Sequence, residues 1–145
     1  MTRLIVVLVL LLAACSVGAT SERDAAMAEI GNAVNEGRMA DAYRLSLPYA
    51  QAGDRDMELT VALFLESGQD IGVKLSAGER DALERKWLVK AALQQQPDAM
   101  NRLAQALAKG ELGLAKNEAA AKCWSDARAS RVAPATCMAY LSSAQ

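Results

Sequence analysis

The residues that could do chemistry are few and poorly grouped. The 145-residue chain holds no histidine, which removes the commonest general base and the commonest zinc ligand together. Cys123 and Cys137 lack the spacing of a metal motif, and no acidic cluster arrives at ligand intervals. Hydroxyls such as Ser76 and Ser125 have no plausible general base beside them, in a chain without histidine. The densest run of charge, Glu79, Asp81 and Glu84 with Arg80, Arg85 and Lys86, reads as a solvated helix face carrying ion pairs four residues apart. Gly110-Glu111-Leu112-Gly113 suits a helix stop followed by a turn better than a phosphate-cradling loop. On this reading the chain is not an enzyme, and no catalytic residue, metal or cofactor is expected.

Charge narrows the partners further. With 16 basic and 17 acidic side chains and no lysine–arginine cluster, neither nucleic acid nor an electrostatic membrane patch is an expected partner. The first residues give a different route to a membrane. One basic residue, Arg3, precedes an apolar run from Leu4 to Leu12. The run is shorter than the roughly 20 residues that cross about 30 Å of hydrocarbon, so it fits a secretory signal and not a span. An ordinary secretory peptide would be cut after Ala14 or Ala19. However, Leu12-Ala13-Ala14-Cys15 resembles the lipobox of bacterial lipoproteins, in which a branched residue and two small ones precede the cysteine that receives the lipid. That resemblance implies a signal peptide over 1–14, lipid attachment at Cys15, a tether over 15–21 and a helical domain over 22–145. Ser16 is not the aspartate that favours inner-membrane retention. The implied place is therefore the outer membrane, facing the periplasm, held by two or three acyl chains since one chain binds only marginally.

That address changes the meaning of the remaining cysteines. In an oxidising compartment a pair of thiols tends to form a disulfide, so Cys123 and Cys137 read as a bridge; two buried free thiols are the alternative.

The elements that would position these residues are all helical. β-Branched residues are scarce after the apolar start, and alanine and leucine dominate. Met27, Ile30 and Val34 recur at helical intervals up to Gly37. A second helix spans about 39–51, with Ala42, Tyr43, Leu45 and Leu47 inward and Pro48 expected to kink or end it. A third, 55–67, turns Met57, Val61, Ala62 and Leu65 to one side. The fourth, from about Glu79, carries Leu83, Trp87, Leu88 and Ala91; the fifth, 98–109, carries Met100, Leu103, Ala104 and Leu107. Asn117 caps a sixth with Ala121, Trp124 and Ala127. Pro134 opens a seventh with Met138 and Leu141 inward.

Two of these helix pairs share a register. Met57, Val61, Ala62, Leu65 and Gly68 repeat in spacing as Ala99, Leu103, Ala104, Leu107 and Gly110. Gly72-Val73 then matches Gly113-Leu114, and Trp87 matches Trp124. The pattern resembles the Sel-one-like repeats, short relatives of tetratricopeptide repeats, with Gly37 to Gly53 resembling a preceding half-repeat. Glu84 departs from it, standing where a small residue is usual. The resemblance implies an all-α fold, a short α-solenoid of antiparallel helix pairs with about two full repeats, a half-repeat before them and a C-terminal capping helix. It also implies a protein-binding module: a scaffold or assembly factor of the bacterial envelope, or an immunity lipoprotein that neutralises a secreted toxin such as a phospholipase. An envelope hydrolase is the rival from another class, and no small-molecule substrate is expected. The tryptophans read as core. Phe64, beside the apolar stripe of the third helix, is either core or a partly exposed contact. With Gln69, Asp70 and Lys74 of the following loop it forms the candidate partner-binding set.

Overall fold

A computed structural model describes residues 22–142. The apolar run, Cys15 and the tether lie outside the described residues. Residues 22–35 form α1, followed by α2 (Met39–Gln51), α3 (Arg55–Glu66), α4 (Ala77–Leu93), α5 (Pro97–Lys109) and α6 (Glu118–Arg128). A 3-10 turn, Pro134–Met138, leads into the short α7, Ala139–Ser142. No strand occurs among the described residues. α2 packs on α3, α3 on α4, α4 on α5 and α5 on α6, and the 3-10 turn closes on both α6 and α4. The fold is a short all-α solenoid of antiparallel pairs.

Local chemistry sets the helix starts. The Asp54 carboxylate accepts from the backbone N–H groups of Asp56 and Met57 at 3.0 and 3.1 Å. Ser76 and Glu79 form a reciprocal capping box, so α4 begins two residues before Glu79. Gln96 caps α5 through Asp98 and Ala99, with Pro97 in the first turn, where its missing N–H costs nothing. Asn117 caps α6 through Ala120 at 2.9 Å. Gly110 ends α5 at φ 80°, and a Cβ there would lie 3.3 Å from the Lys116 backbone nitrogen. Glycine is the residue that fits.

The inner seam is built from small and branched residues at matching positions. Met57, Val61, Leu65, Ala99, Leu103 and Leu107 are all buried, as are Trp87 and Trp124. Ala62, Ala91, Ala92 and Ala104 let adjacent helices approach. Both indole N–H groups lack a hydrogen-bond acceptor, an unmet cost in the layers the rings fill. The Lys90 ammonium stands 4.6 Å from the Trp87 ring centroid, a cation–π contact.

Three helical expectations are corrected. In α1 the buried stripe is Ala26, Ile30 and Ala33, whereas Met27 and Val34 are exposed. Pro48 does not end α2, which runs on to Gln51. It lies in the penultimate turn, where the ring removes one donor, and the Ala52 N–H still bonds the Pro48 carbonyl at 3.0 Å. The expected seventh helix starts as 3-10, its first bond running from the Thr136 N–H to the Ala133 carbonyl. The repeat register also diverges in its turn: Val73 is exposed while Leu114 is buried.

The ends of the stack are fastened differently. Arg23 of α1 pairs with Asp54 and Asp56, and the Tyr49 hydroxyl donates to the Glu22 carbonyl at 3.4 Å. Burial pushes the Asp54 carboxyl up, but the Arg23 guanidinium and the capped N–H groups outweigh it and hold it below its usual value. At the other end Cys123 and Cys137 stand at disulfide distance, with Cα atoms 5.7 Å apart.

Candidate functional site

The loop expected to bind a partner is exposed, but Phe64 does not join it. Gln69, Asp70 and Lys74 line an open hollow with Ser76 and Arg80. The Asp70 carboxylate accepts from the Gly72 N–H at 2.8 Å, and buried Ile71 pins the loop to the core. Phe64 is only 8% exposed and meets Tyr43 edge to face, ring centroids 6.4 Å apart. As a surface contact it is corrected: its ring lies on the buried side of α3, against Tyr43 of α2.

The more informative site is a recess of about 410 Å³ where the end of α3, the start of α4 and the end of α5 converge. Glu84 lines it and is 6% exposed. The carboxylate makes no hydrogen bond and no ion pair with any described residue. Around it stand Glu66 of α3, Asp81 of α4, Arg102 of α5 and Glu111 of the turn. Arg102 is already paired with Glu66, and Lys109 with Glu111 at 3.6 Å. Asp81 and Glu84 thus make no ion pair, and the third nearby cation, Arg85, is held by the Leu112 carbonyl. Burial, reinforced by the negative charges of Glu66 and Asp81, pushes the Glu84 carboxyl up to about 7.

The walls of the recess are held by specific contacts. The Arg85 guanidinium donates to the Leu112 carbonyl, steadying a turn in which Leu112 takes the left-handed φ of 57°. That conformation costs a non-glycine residue on the order of 1–2 kcal/mol. Arg80 donates to the Leu65 carbonyl at 3.2 Å, joining α4 to the end of α3. The expected row of ion pairs along α4 is therefore absent: Glu79 serves a cap, Arg80 and Arg85 serve carbonyls, and Glu84 faces inward. A second buried carboxylate, Glu58, offers a contrast. It accepts from the Gln94 amide at 2.8 Å. Burial raises its carboxyl while that bond and Lys90 pull it back.

The recess opens onto a groove between α3 and α5, lined by Leu59, Leu63, Asp98 and Asn101. Glu66, Arg102 and Gln105 belong to both, so groove and recess form one surface. No protein-family model, no curated protein and no solved structure matches this chain. The geometry must speak for itself. A groove between parallel-running helices with a charged recess at one end suits binding an extended partner. Among the described residues no three acidic or cysteine side chains are grouped to hold a metal ion.

Glu84 was visible in the sequence as a departure from the repeat. In the register that aligns Trp87 with Trp124, it occupies the position of Ala121, three residues before the tryptophan and facing the neighbouring helix. A carboxylate in a small-residue, inward-facing slot was the signal.

Proposed function

We propose that the protein is a membrane-anchored interaction module of the bacterial envelope, facing the periplasm and serving as a scaffold or assembly factor. The continuous surface of groove and recess between α3 and α5 carries this reading: it is a ready-made seat for a protein segment. The Sel-one-like spacing supports it as the register of a binding solenoid, and the lipobox at Leu12 to Cys15 supports the anchor. Among the described residues no helix is long and apolar enough to cross a membrane.

Two measurements test the proposal. Replacing Cys15→Ser should abolish metabolic labelling with a palmitate analogue and release the protein from the membrane fraction. Labelling and retention unchanged by the substitution would sink the anchor. Photo-crosslinkers placed at Asn101 and Gln105, on the groove, should trap a discrete envelope protein, whereas one at exposed Gln51 should not. Equal yields from both places would remove the groove from the function.

A further inference from the structure

We infer that the Glu84 recess is a socket for a basic side chain, arginine before lysine, presented by a protein segment lying in the α3–α5 groove. The inference rests on the binding reading above and adds the chemistry of the partner.

Three observations converge on it. A glutamate whose side chain is nine-tenths covered, and whose carboxylate reaches only the solvent of its recess with no hydrogen bond or ion pair in the protein, is costly to keep charged unless a cation occupies its site. Glu84 is such a group, and it faces an open recess and not a packed interior. Next, the charge there is unbalanced. Of the nearby cations, Arg102 and Lys109 are engaged by Glu66 and Glu111 and Arg85 is held by the Leu112 carbonyl, so Asp81 and Glu84, one helical turn apart on α4, have no ion-pair partner within the protein. Finally, about 410 Å³ is ample for a guanidinium with part of its stem, and the mouth joins a groove able to hold backbone. A guanidinium can donate to two carboxylates at once in fixed geometry. An ammonium is a point charge and satisfies them less well. A free polyamine shares the charge but would not use the groove.

Occupancy has a proton signature. In the empty recess Glu84 is held near 7 by burial and by Glu66, Asp81 and Glu111, with Arg102 opposing. A cation entering must favour the ionised form. Binding near neutral pH therefore releases a proton, and affinity rises from pH 6 to pH 8.

The test is calorimetric titration of the full chain in detergent with three capped pentapeptides, Gly-Gly-X-Gly-Gly, where X is arginine, lysine or glutamate, and with putrescine. The expected order is arginine, then lysine, with no binding by the glutamate peptide and weaker binding by putrescine. Glu84→Gln should weaken the arginine peptide by at least about tenfold and abolish proton release, measured in buffers of different ionisation enthalpy. Glu84→Asp should restore part of both. Arginine-peptide affinity unchanged by Glu84→Gln, or absent at pH 8, would overturn the socket. Putrescine binding as tightly as the arginine peptide would overturn the protein segment as its source. The crosslinking at Asn101 and Gln105 separates the two readings. A trapped partner whose yield survives Glu84→Gln retires the socket and keeps the module, whereas no trapped partner retires the module.

Discussion

Neutralising Glu84 should stabilise the empty protein by an amount that grows from pH 4.5 to about pH 7 and levels off above it. The carboxyl is raised from 4.5 in the unfolded chain to about 7 in the folded one. The folded state therefore holds the proton more tightly. Its advantage is complete below pH 4.5 and is lost as pH rises through about 7. Glu84→Gln keeps the shape of the protonated acid and has nothing to lose. At about 1.4 kcal/mol per pH unit, the full gap gives the variant an advantage of up to about 3 kcal/mol at pH 8. Water reaching the carboxylate through the mouth of the recess brings this nearer to about 1 kcal/mol. Near pH 4.5 the two proteins should differ little. Urea unfolding followed by far-ultraviolet circular dichroism at pH 4.5, 6, 7 and 8 would measure the difference, and titration of all other groups cancels between the pair. A difference that stays flat across that range, or a variant less stable at pH 8, would refute the burial and isolation of this carboxylate.

Three further outcomes are expected. Alkylating unreduced, denatured protein should leave Cys123 and Cys137 unlabelled, and reduction should lower stability by about 3 kcal/mol for a loop of this length; full labelling without reductant would show two free thiols. Trp124→Ala and Trp87→Ala should each cost about 3–5 kcal/mol, with the fully buried Trp124 the more severe; melting temperatures within a degree or two of the parent would contradict the core. Asp54→Ala removes a helix cap and the anchor of Arg23 in one step, so it should cost about 1–2 kcal/mol. Asp54→Asn should recover most of that as a cap, and failure to do so would assign the loss to the ion pair.

Helix periodicity made most of the fold legible, because alanine-rich stripes punctuated by glycine admit few other arrangements. Asn117 as a cap and the seam from Met57 to Leu107 were readable for that reason. The stripe of α1 was misread because hydrophobicity points at methionine and valine. The packing there selects alanine for closeness, and size alone cannot announce that. Pro48 was overweighted, since a proline late in a helix removes one bond and leaves the final turn free to form. The site was the hardest part to read. Charge density along α4 suggested a wet face, yet the partners that decide each residue's role, the Leu65 and Leu112 carbonyls, lie at distant points of the chain. The repeat register marks Glu84 as standing at a small-residue position, yet the charge around it led to its being read as solvated. Phe64 stays open between core and surface in the sequence for a related reason: whether a residue at the edge of a stripe is covered depends on the preceding helix, here through Tyr43.

Because each helix leans chiefly on its chain neighbours, the stack also has a direction under load. A pull entering from the N-terminal side meets α1 first, and α1 is held by a part-exposed arginine–carboxylate contact and a stripe of two alanines and one isoleucine. Peeling it leaves the seam between α3 and α5 intact. A pull from the opposite end meets a sulfur–sulfur clamp that draws the last turn onto α6. Pulled from both ends, the molecule would therefore open at α1 before it yields at the disulfide-clamped end.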